Sequence, residues 1–188
     1  MGKISITKTN IKDLVIIEPQ VFQDERGYFL ETYNETDFQN EYPNVNFVQD
    51  NESMSNKGVL RGLHFQTKHT QGKLVRVIKG KVFDVAVDLR KNSDTFGKWE
   101  AVILSGENKK QFFVPPGFAH GFMVLEDETI FCYKCTEFYS PEYDSGIIWN
   151  DLDLDIKWPI DEIGELSLSQ KDMSLQTFKE FLNKENPF

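Results

Sequence analysis

Short segments rich in β-branched and aromatic residues recur along most of this chain, and turn residues separate them. Such a pattern is typical of a β-sandwich or β-barrel built from short strands. The turns Lys79–Lys81 and Ser105–Asn108 each contain glycine and predict hairpins between their flanking strands. The predicted strands are Leu14–Glu18, Tyr28–Tyr33, Phe47–Ser55, Val59–Gln66, Lys73–Lys79, Lys81–Leu89, Lys98–Leu104, Gln111–Val114, His120–Val124 and Thr129–Phe138.

The last third of the sequence has a different pattern. Residues 151–159 are acidic and irregular, and after Ser169 the spacing of Leu175, Phe178 and Phe181 predicts one amphipathic helix. This helix is too short to form a second domain. We therefore expect residues 1–188 to form a single, mainly β domain, a jelly-roll β-barrel with a short C-terminal helical segment packed against its outside.

The chain carries a formal net charge of -9, and its two cysteines are Cys132 and Cys135. A broad negative field repels nucleic acid and anionic lipid, so we expect neither as a partner, and no apolar run is long enough to span a bilayer. The C-x-x-C spacing falls on a predicted strand, where residues i and i+3 point to opposite faces. We interpret the cysteines as two separate thiols of a cytoplasmic protein, not as a redox or metal motif.

The histidines in β-rich surroundings are His64 and His120. The segment Pro115–Phe122 resembles the P-x-G-x-x-H motif of cupin barrels, whose metal is held by this histidine, an H-x-H pair and a glutamate. In this chain Gln66 replaces the second histidine, and Lys73 follows where a glutamate might be expected. A lysine ammonium beside a metal is electrostatically unfavourable. The sequence therefore predicts a cupin-like barrel without a metal.

Strand parity indicates that three reactive side chains can meet inside the barrel. If their strand faces point inward, His64, Lys73 and Tyr133 line one interior pocket. Arg61 has the opposite parity to His64, but Gly62 between them would permit a bulge that redirects it. A base, a cation and a phenol suit proton abstraction beside a carbonyl group. Each residue also has a structural alternative as a strand-end cation, a packed aromatic or a buried core histidine.

A series of motifs runs through nearly the whole chain. They are Asp24–Glu31, Phe47–Asn51, Gly58–Gln66, Gln71–Arg76, Phe83–Arg90, Pro116–Phe122, Tyr133–Thr136, Tyr139–Glu142 and Leu168–Asp172. In this order and spacing they resemble the motifs of the dTDP-4-dehydrorhamnose 3,5-epimerase family. The resemblance implies an isomerase, without cofactor or metal, that converts dTDP-4-dehydro-6-deoxy-D-glucose to dTDP-4-dehydro-L-rhamnose in L-rhamnose biosynthesis.

The same resemblance implies roles for individual residues. It makes His64 the base and Asp172 the carboxylate that orients it and stabilises its charge. It makes Tyr133 the acid on the other face of the sugar and Lys73 the stabiliser of the enolate. The substrate contacts that it implies are Arg26, Glu31, Gln49, Asn51, Arg61, Lys73, His120, Asp144 and Lys171.

The resemblance also bears on charge and assembly. Arg26, Arg61 and Lys171 would offset the diphosphate charge within an acidic chain. Asp144 stands where the family often has glutamate, so its contact is one methylene shorter. The family is typically a homodimer in which N-terminal segments cross between subunits. Some of the early contact residues would then serve the neighbouring site.

Three alternatives to double epimerisation stay open at the level of sequence. A related enzyme acting only at C3 or only at C5 could carry every residue named above. A metal-dependent cupin oxygenase or isomerase would need ligands that this sequence lacks. A binding module could retain the pocket without turnover, although binding alone does not require an acid and a base on opposite faces.

Overall fold

The computed structural model describes residues 4–188, which form mainly β-strands with three short α-helices. The strands are β1 Ile4–Lys8, β2 Val15–Pro19, β3 Val21–Asp24, β4 Gly27–Leu30, β5 Gln49–Ser55, β6 Leu60–Gln66, β7 Lys73–Lys79, β8 Lys81–Asp88, β9 Trp99–Ser105, β10 Gln111–Val114, β11 Phe118–Val124, β12 Thr129–Cys135 and β13 Asp144–Gly146. The helices are α1 Glu35–Glu41, α2 Gln170–Met173 and α3 Phe178–Leu182, and 3-10 turns lie at Pro141–Tyr143 and Ile160–Glu162. No helix within residues 4–188 is long and apolar enough to cross a membrane.

Two large antiparallel sheets build the molecule. One has the order β1-β2-β10-β7-β12-β5 and the other β13-β6-β11-β8-β9, while β3 and β4 form a separate hairpin. Apolar side chains from both large sheets, such as Val75 of β7 and Val82 of β8, form one buried cluster between them. The predicted mainly β, cupin-like jelly roll is confirmed.

Each of the two large sheets also has an apolar outer face, and a different segment of the chain packs over each one. The C-terminal segment packs Trp158, Phe178 and Phe181 over the five-stranded sheet. Helix α1 packs Phe38 over the six-stranded sheet, where it meets Phe113 at 5.2 Å between ring centroids. Because β10 and β11 are buried on both faces, their sequences are nearly continuous apolar runs.

The predicted strand positions are confirmed to within a few residues, but both predicted hairpins are wrong. The turn at Gly80 joins β7 to β8, which lie in different sheets, and the turn at 105–108 likewise joins β9 to β10. Gly80 has a φ of 81°, so the backbone does reverse there. A tight turn fixes the local direction of the chain, but burial of the two strands decides which neighbours they pair with.

The predicted single C-terminal helix is two helices. Ser169 accepts a hydrogen bond from the backbone of Asp172 and begins α2, and Thr177 forms a capping box with Glu180 and begins α3. The sequence analysis also missed α1, which Asn34 caps, and the strands β1, β3 and β13. Short polar caps outweigh apolar periodicity over such short segments.

The C-terminal segment reaches the start of β6 before α2 begins. Ser167 forms a parallel bridge with Val59, and the Leu60 backbone N–H donates to the Ser167 carbonyl at 3.0 Å. This anchoring places α2 beside β6.

Candidate active site

A cavity of about 580 Å³ lies among β6, β7, β11, β12 and the segment that enters α2. Its volume is typical of small-molecule sites. Its charged and titratable lining consists of predicted site residues: Arg61, His64, Lys73, His120, Tyr133, Lys171 and Asp172.

A bulge in β6 brings both Arg61 and His64 to this cavity. Arg61 pairs with Phe122 of β11 and His64 with His120, so the path along β6 contains one residue more than the path along β11. Gly62 lies in the bulge with a φ of 117°, a conformation that favours glycine. The predicted redirection of Arg61 is therefore confirmed.

His64 and Asp172 are in hydrogen-bond contact at the cavity wall, with 2.6 Å between Nε2 and Oδ1. Asp172 also accepts hydrogen bonds from the Gly62 backbone N–H at 3.3 Å and the Ser169 hydroxyl at 2.6 Å. Burial acts to raise the pKa of the Asp172 carboxyl, but the hydrogen bonds from His64 and Ser169 and the His64 charge outweigh it and lower the pKa to about 2. Asp172 is thus an ionised group that holds the His64 ring, whose side chain is 32% exposed.

Tyr133 and Lys73 lie on the neighbouring strands β12 and β7 of the six-stranded sheet, whereas His64 belongs to the five-stranded sheet. Burial raises the pKa of the Tyr133 phenol, and the charge of Arg61 only partly opposes this. The phenol therefore keeps its proton at neutral pH. Burial lowers the pKa of the Lys73 ammonium, and nearby Cys135 partly opposes that shift. The cavity has an imidazole on one wall and a phenol with a cation on the other.

His120 is the second histidine of the cavity and lies directly opposite His64 in the β6–β11 ladder. Its Nε2 is 2.8 Å from Asp84 Oδ1, and its side chain is 8% exposed. The Phe131 ring stacks against it with 6.4 Å between centroids. Both histidines of the cavity are therefore held by carboxyl groups.

The predicted contacts Arg26 and Glu31 lie away from the cavity. Arg26 is in the turn of the β3–β4 hairpin, where its exposed guanidinium donates to Asp24 at 2.6 Å. Glu31 follows β4 and accepts a hydrogen bond from Asn34. Neither residue lines the cavity of its own chain.

Gln49 and Asn51 lie on β5, next to the strand that carries Tyr133. Asn51 is the direct partner of Tyr133 in the ladder. The Gln49 amide donates to Asn51 Oδ1 at 2.9 Å, and the Asn51 amide donates to Cys135 Sγ at 3.6 Å. These side chains border the Tyr133 wall without lining the cavity itself.

Asp144 and Lys171 form an ion pair. The Tyr139 hydroxyl also donates to Asp144 Oδ2 at 2.8 Å. Lys171 lines the cavity, but Asp144 does not. The Asp144 carboxylate thus positions the Lys171 ammonium from outside the cavity lining.

Gln66, at the position of the missing cupin histidine, has a structural use. Its amide donates to the His69 carbonyl at 2.6 Å, and its oxygen accepts from the Ser140 backbone at 2.8 Å. In the part of the chain that the structure describes, no group of three or more His, Cys, Asp or Glu residues could hold a metal ion.

The sequence analysis missed two residues of the site, Asp84 and Ser169. The signal for Asp84 was a single acid within the apolar strand Phe83–Val87, since buried carboxyls need partners. The signal for Ser169 was its position three residues before Asp172, the spacing of a helix cap.

Comparison with known proteins identifies similar sequences. The sequence model of the dTDP-4-dehydrorhamnose 3,5-epimerase family matches residues 8–180. A protein of that name from Methanothermobacter thermautotrophicus is 58% identical over 180 residues, covering 96% of this chain and 97% of the relative. Another from Escherichia coli is 52% identical over 182 residues, covering 95% and 97%.

Solved structures of sugar-nucleotide epimerases are also similar to this chain. A dTDP-6-deoxy-D-glucose-3,5-epimerase from Legionella pneumophila, in complex with dTDP-4-keto-L-rhamnose, has a TM-score of 0.90 at 50% identity and covers 94% of this chain and 93% of its own. A 3'-monoepimerase from Streptomyces bikiniensis, in complex with dTDP-quinovose, has a TM-score of 0.87 at 29% identity and covers 93% and 88%. Of these two structures, the 3,5-epimerase shares more residues with this chain.

Proposed function

This chain belongs to the dTDP-4-dehydrorhamnose 3,5-epimerase family, and we propose on that premise that His64 and Tyr133 carry out its proton transfers. The enzyme is an isomerase that epimerises dTDP-4-dehydro-6-deoxy-D-glucose at C3 and C5 to dTDP-4-dehydro-L-rhamnose, a step of L-rhamnose biosynthesis. The observation that carries the proposal is that His64 and Tyr133 belong to different sheets and line one cavity. A sugar held between them can lose a proton to one and gain a proton from the other.

His64 is the general base. The hydrogens on C3 and C5 are acidic because both carbons neighbour the C4 ketone. Asp172 holds the imidazole and stabilises the positive charge that it acquires on taking the proton, as carboxylates do for catalytic histidines elsewhere. The pKa of about 2 keeps Asp172 ionised throughout the neutral range.

Lys73 stabilises the enolate. When the C–H bond breaks, its electron pair moves toward C4 and negative charge develops on the ketone oxygen. A partly buried cation stabilises this charge more strongly than it would in bulk solvent. Lys73 lies on the cavity wall with Tyr133 and is half-buried.

Tyr133 is the general acid. Its raised pKa keeps the proton available at neutral pH. Delivery from the wall opposite His64 gives the inverted carbon centre, whereas return of the proton by His64 would regenerate the substrate. The same pair serves C3 and C5 if the sugar ring turns between the two steps.

The diphosphate of the substrate binds near Arg61 and Lys171. Both side chains line the cavity, and their charges offset the phosphates locally although the chain has a net charge of -9. Asp144 fixes Lys171. Gln49 and Asn51 support the wall that carries Tyr133.

The protein acts as a homodimer in which the β3–β4 hairpin enters the neighbouring site. Phe22, Tyr28 and Phe29 of this hairpin are 44%, 54% and 68% exposed. Exposed aromatic clusters of this kind mark interaction surfaces. Arg26 and Glu31 would then contact the substrate of the partner subunit, which accounts for their distance from the cavity of their own chain.

The enzyme works in the cytoplasm. Cys132 and Cys135 are both free, as predicted from their positions on a strand, and both are buried. Unpaired thiols fit a reducing compartment.

Proton NMR of dTDP-4-dehydro-6-deoxy-D-glucose with the enzyme in heavy water tests the function. We expect deuterium at both C3 and C5, and reduction should trap the product inverted at both carbons. Exchange and inversion at a single carbon would instead assign a monoepimerase with the same residues in the same roles. Folded enzyme that binds dTDP without exchange at either carbon would contradict the proposed reaction.

A further inference from the structure

Ser55 is the last residue of β5, and its hydroxyl bridges the two large sheets. The residue is 7% exposed and shares a strand face with Ser53, which lines the cavity. Within residues 4–188 the side-chain hydrogen bond of Ser55 is with Arg61 of β6, whose Nη2 donates to Ser55 Oγ at 3.1 Å. Since β5 and β6 belong to different sheets, this bond ties a cavity-lining arginine to the opposite sheet.

Arg61 differs from two other arginines of the chain in its partner. Arg26 and Arg90 form ion pairs with Asp24 and Asp88. Within residues 4–188 the Arg61 guanidinium forms no ion pair with a carboxylate. A carboxylate at that place would offset the positive charge and repel an anionic ligand. The neutral hydroxyl instead leaves the whole charge to a ligand in the cavity.

The hydroxyl of Ser55 also restricts the motion of the Arg61 side chain. Arg61 is exposed, and a long side chain that is ordered only on binding loses conformational entropy at that moment. Ser55 is fixed beforehand because it is buried and belongs to a strand. Its hydroxyl engages one of the five N–H groups of the guanidinium, so the others stay available to phosphate oxygens.

We propose that Ser55 is a positioning residue that orients the Arg61 guanidinium toward the diphosphate of the substrate and leaves its charge unpaired. This inference rests on the proposed function, in which the diphosphate binds near Arg61 and Lys171. Ser55 acts through Arg61 and does not itself contact the substrate. The diphosphate is attached to C1 and takes no part in the proton transfers at C3 and C5, so the effect belongs to binding and not to turnover.

Ser55→Ala tests the proposal because it removes the hydroxyl and leaves Arg61 in place. We expect KM for the substrate and Kd for dTDP to rise roughly threefold to tenfold, the usual effect of having to order one long side chain on binding. The kcat should change by less than about twofold. Ser55→Thr keeps a hydroxyl and should restore most of the lost affinity. An unchanged KM and Kd in Ser55→Ala would overturn the proposal.

Thr129→Val is the matched control. Thr129 lies directly opposite Ser55 on β12, is 1% exposed, and donates its hydroxyl proton to the Glu126 carbonyl at 2.7 Å. Loss of this buried hydroxyl should lower the thermal unfolding midpoint without changing Kd for dTDP. If Thr129→Val weakened dTDP binding as much as Ser55→Ala does, the loss would come from a general disturbance of these strands and the proposal would be wrong.

A double-mutant cycle shows whether Ser55 acts through Arg61. Calorimetry gives Kd for dTDP in the wild type, Ser55→Ala, Arg61→Ala and the double variant, with folding checked by circular dichroism. In the Arg61→Ala background, Ser55→Ala should cause no further loss of affinity, because no guanidinium is left to position. An equal loss in both backgrounds, or an unchanged Kd in Arg61→Ala itself, would contradict the proposal.

The cycle measures binding alone, so its result is separate from the proposed reaction. If the wild-type enzyme binds dTDP but exchanges no hydrogen at C3 or C5, the proposed function is wrong and the cycle still decides the role of Ser55. If the wild-type enzyme exchanges both hydrogens and Ser55→Ala binds dTDP as tightly as the wild type, only the role of Ser55 is wrong.

Discussion

His64 Nε2 and Asp172 Oδ1 lie 2.6 Å apart although the residues are separated by 108 positions in the chain. The contact depends on the C-terminal segment, which pairs through Ser167 with the start of β6 before α2 begins. The proposed base His64 and its carboxylate are therefore brought together by the C-terminal segment that covers the five-stranded sheet. Packing of that segment against β6 brings Asp172 into the site.

The low pKa of Asp172 predicts a loss of stability in acid. Its pKa of about 2 in the folded protein lies below the ordinary aspartate pKa of 3.8. A carboxylate with a depressed pKa stabilises the fold at pH values above its unfolded pKa, and the stabilisation, on the order of 2 kcal/mol, is lost as the pH falls through the folded pKa. Urea unfolding between about pH 5 and pH 2 should show this loss in the wild type and a weaker pH dependence in Asp172→Asn. Equal slopes for the two proteins would contradict the role of this carboxylate.

Asp172→Asn should also reduce turnover by a smaller factor than His64→Ala. The asparagine leaves the imidazole in place but removes the charge that stabilises its protonated form. Steady-state kinetics of both variants, with folding checked by circular dichroism, give the comparison. An equal or larger loss in Asp172→Asn would mean that the carboxylate does more than orient and stabilise the base.

His64→Ala should abolish deuterium exchange at both carbons. The loss should be roughly 10²–10⁴-fold, the usual contribution of a general base. Binding of dTDP, measured by calorimetry, should be largely unchanged because the imidazole acts on the sugar. His69→Ala provides a control with an exposed histidine outside the cavity. Near-normal exchange in His64→Ala would assign the base elsewhere.

The sequence predicted the wall residues of the cavity because strand parity is a local property. To place His64, Lys73 and Tyr133 at the cavity, it was enough to predict the strand that carries each residue and the face of that strand that points inward. Arg61 needed the bulge at Gly62, which a glycine between two polar residues indicated. These residues could be placed without knowing which strands are neighbours.

The sequence did not predict relationships that depend on long-range packing. The hairpin predictions at Gly80 and 105–108 were wrong because sheet membership is decided by burial of distant strands. Only the family resemblance linked Asp172 to His64. Asp84 was overlooked because its partner, His120, lies on another strand.

Tyr133→Phe should separate proton removal from inversion. The substitution removes the phenolic proton and leaves the ring, which lies 5.9 Å from Phe131 between centroids. In heavy water, His64 can still remove protons and return deuterium to the same face, so we expect exchange with little inversion. Tyr143→Phe, on a ring that does not line the cavity, is the control. Normal epimerisation in Tyr133→Phe would eliminate this residue as the acid.

The lowered pKa of the Lys73 ammonium predicts that turnover falls at alkaline pH. Burial lowers its pKa from 10.5, so the stabilising charge is lost at a lower pH than for an exposed lysine. The pKa of Tyr133 shifts upward instead, so the phenol retains its proton at higher pH than an ordinary tyrosine. The kcat of the wild type should fall with pH before 10.5 is reached. Lys73→Arg cannot lose its charge in this range, so its alkaline limb should disappear even if its kcat is lower. An unchanged limb would show that another group sets it.

Mixed dimers test whether Arg26 serves the partner subunit. If it does, a dimer of one Arg26→Ala chain and one His64→Ala chain contains one site with both mutations and one site with neither. Unfolding and refolding an equal mixture should then restore about a quarter of all sites, since half of the dimers are mixed by chance. If Arg26 acts within its own chain, every site keeps a mutation and the mixture is no more active than the mean of its parents. Recovery above that mean therefore establishes the crossed hairpin, and its absence, with mixed dimers demonstrated by differently tagged chains, contradicts it.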